Sequence, residues 1–485
     1  MAKEGVSLKF VERSSGCLSG TIRIRGNLYS KRGIAALIGG CLMLISFSID
    51  FSYANLNTYV ISYLRHEVTP STDYADWIFV STSKTLVQGL VMPFAGLLSN
   101  RIGLRLSLTI GSILYSVGYL CTGWAITHSL PLVIVTMAVM HGLGFALVYS
   151  QTVGAVMAWS PSNPGTFGGI CIAGYGFGSM IWNPLETGFV NPLNRDPVVG
   201  TNGTDAYFED PDVLARIPKL FYLLGGTFIV MQIVSIILLR VPTEEELAEM
   251  QPILDNKDDK DGDQENANEG TFSLKPMQVL KTSEFYKMWV SFLAMNMINM
   301  FINNYQKSFG QLFIKDDSFF AIIATLSSVA NGVTRMIWGY TYDKQGFQFC
   351  MMIISSVSTA LAFSFVDLAA IDYDSLGSRI FYGVWICALY SMFPGMYATF
   401  APSTRDTFGP QFFEANFGLI FTQNIVNSLM MIGATQGLFR IVGYNGMFFL
   451  TGGIGVIGML ASWLMPSRMT SENFRSRFEV KPSFY

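Results

Sequence analysis

The sequence predicts an all-α integral membrane protein with twelve transmembrane helices, six on either side of a polar central loop. Three observations carry this: a composition too apolar for water, twelve long apolar runs, and a turn motif that recurs half a chain apart. Of 485 residues, 51% are apolar or aromatic and 13% are charged. Soluble domains hold about 25% charged residues. A mean hydropathy of +0.39 over so long a chain points instead to the bilayer as solvent. A span needs about 20 mainly apolar residues, so twelve would occupy about half the chain, as the composition permits. A net charge of −3 offers no nucleic-acid footprint, and three histidines are too few for a metal-rich centre. No cofactor or metal is expected. Cys41, Cys121, Cys171, Cys350 and Cys387 sit in apolar stretches and no pair has CxxC spacing, so disulfides are not expected either.

Taking the elements in order, a basic arm over residues 1–32 lacks the short apolar core of a secretory signal. Apolar runs then place helices over 33–62, 77–98, 103–127, 130–157, 165–190 and 217–240. Six more follow over 286–308, 318–341, 346–368, 377–401, 413–436 and 444–466. The stretch 241–285 between the two sets is rich in acids and too polar to bury, so it reads as a disordered loop. Its DNKDDKDGDQE run fails as a calcium loop: with Gly262 at the invariant glycine, Lys257 and Asn268 fall at the first and twelfth ligand positions. Residues 467–485 form a polar tail. Basic residues in short segments near helix ends stay cytoplasmic, and fifteen lie on the side of the termini against seven on the other. Both termini and the central loop are therefore expected in the cytosol, beneath a plasma or organelle membrane. Asn202, in Asn202-Gly203-Thr204 between the fifth and sixth helices, is then a glycosylation candidate on the opposite side.

After the second helix the chain reads Gly96-Leu97-Leu98-Ser99-Asn100-Arg101-Ile102-Gly103-Leu104-Arg105, and after the eighth Gly339-Tyr340-Thr341-Tyr342-Asp343-Lys344-Gln345-Gly346. This G-x-x-x-[DN]-[RK]-x-G pattern resembles the signature of the major facilitator superfamily. The resemblance implies two six-helix bundles, residues 33–240 and 286–466, that rock about a midplane site. A tight glycine turn against a neighbouring helix, with acid and bases bonding to its end, would latch one conformation. The latch residues are Gly96, Arg101, Gly103 and Arg105 in the first copy and Gly339, Asp343 and Gly346 in the second. Asn100 stands where the family usually has aspartate, so the second latch is expected to matter more.

A charge deep in lipid is costly unless it lines a cavity or finds a partner, which makes each one a functional candidate. Arg335 lies about 12 Å along its helix from Asp343, hence near mid-membrane, where a guanidinium can take a carboxylate bidentately. The run Asn331-Gly332-Val333-Thr334-Arg335, with Gly339 and Asp343, resembles the eighth helix of the oxalate:formate antiporter family, relatives of the monocarboxylate transporters. Trp159-Ser160-Pro161 with the following glycines and Pro184-Leu185 agrees. So do Phe400-Ala401-Pro402-Ser403 with Asn416-Phe417-Gly418, and Thr282-Ser283-Glu284-Phe285-Tyr286 before Trp289. The family resemblance implies a helix-eight arginine and a helix-eleven lysine gripping a dianion, but the lysine position here holds Asn424.

With one cation missing, charge balance favours a small organic monoanion neutralised by Arg335, a monocarboxylate such as pyruvate, lactate or formate. Gln423, Asn424 and Asn427 would add neutral hydrogen bonds. Asn296, Asn299 and Asn303 fall on one face of helix seven and either line the same cavity or join helices. Lys84, about 10 Å below the outer end of helix two, is a second anion contact or a partner of Asp50. Tyr53 resembles a helix-one aromatic that contacts substrate in relatives. Asp50 and Glu186 are the membrane acids that could carry a coupling proton. Monocarboxylate transporters often place an aspartate where this chain has Asn331, so that relay is not expected. His141 lacks metal-ligand spacing and reads as a packed residue. The expected function is secondary active transport of the monoanion by alternating access, proton-coupled or anion-exchanging, by a monomer. A carrier for a neutral or zwitterionic solute, with Arg335 paired internally, and a non-transporting membrane sensor are the alternatives. No nucleophile and base stand at a motif spacing, so an enzyme is not expected.

Overall fold

The computed structural model describes residues 21–24, 27–72, 76–195, 197–199, 206–246, 272–314, 316–466 and 470–478. The first bundle holds α1 (Lys31–Phe47, resumed as Tyr53–Tyr63), α2 (Trp77–Ile102), α3 (Leu104–Ala125), α4 (from Leu130–Val133 through Met140–Met157), α5 (Pro164–Gly176 and Gly178–Val190) and α6 (Pro211–Leu238). The second holds α7 (Ser283–Gly310), α8 and α9 (the two arms of Asp317–Ser364, parted at Gly346), α10 (Leu376–Phe408), α11 (Phe413–Phe421 and Gln423–Gly433) and α12 (Phe439–Trp463). Two short hairpins accompany them. β1 (Thr21–Ile24) pairs with β2 (Asn27–Ser30) before α1, and β3 (Val198–Val199) pairs with β4 (Ala206–Tyr207) between α5 and α6. Asn202 and the acidic residues 247–271 lie outside the described residues.

Helix ends depart from the apolar runs where caps set them. α6 begins at Pro211, well before its apolar run, because the Asp210 side chain accepts the N–H groups of Asp212 and Val213. The membrane-facing side presents Phe94, Ile113, Ile237 and Ile441, each more than half exposed, a pattern that calls for lipid as the covering solvent. Eight described helices are long and apolar enough to cross a bilayer, and one of these, Ile322–Leu368, holds two passages. α5, α7 and α11 are interrupted or more polar: α5 breaks at Phe177, α11 at Thr422, and α7 carries Asn296, Asn299 and Asn303. These three present Asn183, the Asn296, Asn299 and Asn303 stripe, and Asn424 to the centre.

The bundles meet along two seams, α5 on α8 and α2 on α11, where glycines let backbones touch. A Cβ on Gly339 would lie 2.1 Å from the Gly165 carbonyl oxygen, and one on Gly96 would lie 2.3 Å from the Ala415 amide nitrogen. The turns that follow pass through Gly103 (φ +86) and Gly346 (φ +79), a left-handed backbone that side chains disfavour.

Candidate functional site

Between the bundles lies a cavity of about 420 Å³. It extends from mid-membrane toward the face where α2 begins and α7 ends, here termed distal, since both Trp77 and Gln306 line it. On the basal side, where α1 and α7 begin, aromatic rings fill the centre. Tyr149 packs against Phe421 with ring centroids 5.8 Å apart and stacks on Phe417 at 6.3 Å.

α8 carries Arg335 to the cavity. The residue is only 1% exposed, and its Nε donates to Asn331 Oδ1, one turn back, at 3.0 Å. The rings of Phe51, Tyr175 and Tyr397 stand 5.8, 5.7 and 5.5 Å from its Cζ. Among the described residues it makes no ion pair, and the rings that surround it are uncharged. α7 lines the same cavity with Asn296, Asn299 and Asn303, as a helical spacing of three and seven requires. Tyr397 donates its hydroxyl to Asn296 Oδ1 at 3.2 Å, and Asn296 donates to Asn424 Oδ1 at 2.9 Å. Tyr390 donates to Asn303 and in turn accepts from Gln306 at 2.8 Å.

The first bundle contributes a charged cluster. α1 tightens into a 3₁₀ turn over Ser48–Ser52, and this break brings Asp50 and Phe51 to the cavity. Lys84 Nζ lies 2.8 Å from Asp50 Oδ1 and 4.4 Å from the centre of the Tyr53 ring. Tyr175 donates its hydroxyl to Asp50 Oδ2 at 2.5 Å. His141 Nε2 stands 3.2 Å from Asp50 Oδ1, out of line for a hydrogen bond, while its Nδ1 meets the hydroxyls of Tyr119 and Tyr53 at 3.1 and 3.2 Å.

Arg335, Asn424, Tyr53, Lys84 and Asn303 line the cavity together, and Asp50 joins them. Gln423 does not: it is fully buried and donates to Asn424 Oδ1 at 2.6 Å, because successive helical residues point about 100° apart. Glu186 lies behind α1 rather than in the cavity, and accepts from Ser52 Oγ at 2.6 Å and Asn55 Nδ2 at 2.7 Å. His141 is packed, and what it packs on is the Asp50 cluster. Tyr175 and Tyr397 were not singled out from sequence. The available signal for Tyr175 was its place between Gly174 and Gly176, the one large polar side chain in a glycine-rich stretch. Among the described residues, no three His, Cys, Asp or Glu side chains converge to hold a metal.

At the basal face Asp343 accepts the Gly165 N–H at 2.8 Å, the Thr166 N–H at 2.6 Å and the Thr166 hydroxyl, so α8 caps the start of α5 across the bundle boundary. Asn100, Arg101 and Arg105 in the first copy are exposed.

The Major Facilitator Superfamily model matches residues 42–403. Apicoplast pyruvate carrier 1 of Toxoplasma gondii is 23% identical over 509 aligned positions, covering 92% of this chain and 91% of its own. The oxalate:formate antiporter of Oxalobacter formigenes is 22% identical over 386, covering 79% and 81%. Human monocarboxylate transporter 12 is 26% identical over a shorter stretch, 31% of this chain and 27% of its own. Among solved structures, the transporter FucP in the outward conformation has a TM-score of 0.61 at 12% identity, covering 89% of this chain and 99% of that one, a likeness of fold. With a family match running from α1 into α10 on a shared fold, the chain belongs to the Major Facilitator Superfamily and is a multi-pass membrane transporter, not an enzyme.

Proposed function

We propose that this protein is a secondary active transporter of a small organic monoanion, a monocarboxylate such as pyruvate, lactate or formate, moved by alternating access. The observation that carries this reading is Arg335, a buried cavity-lining guanidinium whose Nε is engaged by Asn331 and which has no carboxylate partner among the described residues. The other cavity cation, Lys84, is paired with Asp50 at 2.8 Å. One positive charge is left over, and a single carboxylate neutralises it; a dianion would leave an uncompensated charge in a poorly hydrated site. The neutral amides of Asn296 and Asn424 and the Tyr397 hydroxyl suit the carbonyl or hydroxyl of such a substrate. The names of the relatives, a pyruvate carrier, an oxalate:formate antiporter and a monocarboxylate transporter, fit the same chemistry.

With the basal face in the cytosol, the anion enters from outside, takes the guanidinium fork, and leaves when the aromatic plug and the glycine seams part below it. Uptake of labelled pyruvate, lactate and formate into liposomes bearing the full chain tests this. Arg335→Gln, folded by thermal unfolding, is expected to cut uptake at least about thirtyfold, the equivalent of about 2 kcal/mol for a buried charge left without its partner. Undiminished uptake by that variant, or competition by neutral solutes as strong as by carboxylates, would sink the reading.

A further inference from the structure

We propose that the cavity is built for open-chain polyhydroxy monocarboxylates, the aldonate class of which lactate is a truncated form, and that a ring of carboxamides distal to Arg335 holds the hydroxylated end. The inference rests on the transport reading above and names the substrate class of that same site. Its first ground is size. A cavity of about 420 Å³ lies in the range that encloses drug-sized guests, about 300–1,000 Å³, so a three-carbon acid seated on the guanidinium leaves most of it empty.

The second ground is where the remaining polar groups stand. α1 and α5 pass Arg335 on their way to the distal face, with the Phe51 and Tyr175 rings 5.8 and 5.7 Å from its Cζ. Asn57 follows Phe51 by six residues and Asn183 follows Tyr175 by eight, which at about 1.5 Å per residue sets them about 9 and 12 Å distal to the guanidinium. On α7, Asn296 accepts from Tyr397, whose ring also faces Arg335, and Asn303 follows it by seven residues, about 10 Å distal, with Gln306 one turn further. All four carboxamides line the cavity. Among the described lining residues the charges are Asp50, Lys84 and Arg335, which gather near mid-membrane, so the ring beyond them is neutral.

The third ground is what the ring lacks. Asn57 Oδ1, Asn183 Oδ1 and Gln306 Oε1 are buried with no hydrogen-bond partner among the described residues. An unpaired buried acceptor is destabilising, and a guest that brings donors relieves it. A turn about the last side-chain bond of an asparagine brings such an oxygen to the guest. Hydroxyls suit the ring in either amide orientation, because an O–H both donates and accepts and rotates to its partner. An alkyl tail would cover these amides unpaired, and a second carboxylate would meet no cation. Asn303 and Gln306 are held ready by Tyr390, which donates to the first and accepts from the second at 2.8 Å. Asn57 and Asn183 belong to the first bundle, Asn303 and Gln306 to the second, so a guest bonded to both draws the distal mouth closed above it.

The test is inhibition of labelled lactate uptake into liposomes bearing the full chain, corrected for protein-free liposomes, by D-gluconate, D-glycerate and hexanoate, together with uptake of labelled D-gluconate itself. D-Gluconate is expected to half-inhibit at a concentration at least tenfold below that of unlabelled lactate, with D-glycerate between them. Hexanoate, of equal chain length without hydroxyls, should need at least tenfold more than D-gluconate. In Asn57→Leu and Asn183→Leu the ratio of the D-gluconate to the lactate half-inhibiting concentration should rise at least threefold, the loss of about one neutral hydrogen bond; should one variant fail to fold, the other decides by the same ratio. D-Gluconate no stronger than lactate, hexanoate as strong as D-gluconate, inhibition without uptake of labelled D-gluconate, or variants that keep the wild-type ratio overturn this inference alone and leave the transport reading standing. Absence of uptake of every carboxylate offered overturns both.

Discussion

The two seams between the bundles share their packing and differ in their charge. On each, a glycine brings backbone onto backbone: Gly339 against Gly165, and Gly96 against Ala415. In each, four residues after that glycine, stands a polar side chain near the start of the facing helix, Asp343 in one and Asn100 in the other. The facing helices explain the divergence. α5 has no acid in its first turn, and its exposed N–H groups are satisfied from the other bundle by Asp343. α11 carries Glu414 in its own first turn, so its positive end is met within the helix. A charge supplied from across the boundary ties the bundles together, and a charge supplied from within does not. Among the described residues the α5–α8 seam is thus both packed and hydrogen-bonded across the boundary at the basal face, whereas α2–α11 shows packing alone.

The largest effects should come from breaking what the seams share. Gly339→Val and Gly96→Val each thrust side chain into backbone that cannot yield locally, and overpacking of this kind costs at least about 1–3 kcal/mol. Both are expected to lower the melting temperature and to cut carboxylate uptake more than tenfold, to a similar degree. A Gly96→Val variant that transports normally would show the second seam to be dispensable. Asp343→Asn acts on the difference instead. The amide keeps the shape but loses the charge-assisted bonds to Gly165 and Thr166, worth about 1–2 kcal/mol against a neutral acceptor. The basal-closed state should be depopulated about tenfold. In a background without native cysteines, a cysteine at Ser403, where the basal seam leaves 2% exposure, should alkylate correspondingly faster.

Much of this layout was legible in the sequence because lipid imposes one rule over long distances. Apolar length located twelve passages, and the price of a lone charge located Arg335. The helix-seven asparagines also line up as their spacing of three and seven dictates. What stayed hidden depends on local geometry. The 3₁₀ turn at Ser48–Ser52, which aims Asp50 inward, leaves no mark in an apolar run. Gln423 and Asn424 are adjacent amides of equal chemistry, and only the helix phase decides which one meets the cavity. Tyrosines pack as often as they hydrogen-bond, so Tyr175 and Tyr397 announce no role until Asp50 and Asn296 are placed beside them. His141 was legible as packed, but its neighbour Asp50, three helices earlier in the chain, was not.

The smallest expected effect is also the sharpest on the comparison. Asn100→Asp restores the usual acid to the first copy, and if the acid alone made the latch, it should tie α2 to α11 as Asp343 ties α8 to α5. The register argues otherwise. Asp343 meets Gly165 and Thr166, the second and third residues of α5, whereas Gly96 lies against Ala415, already the third residue of α11, and the next amide, that of Asn416, is bonded to the Phe412 carbonyl. A new aspartate would find one unbonded N–H at most, beside the existing charge of Glu414. The gain should stay below about 0.5 kcal/mol, slowing alkylation at Ser403 less than about twofold. Pairing Asn100→Asp with Glu414→Gln removes the competing charge and should enlarge the slowing to about threefold. Were Asn100→Asp alone to slow labelling as much as Asp343→Asn speeds it, the acid within the α11 first turn would not be what sets the two seams apart.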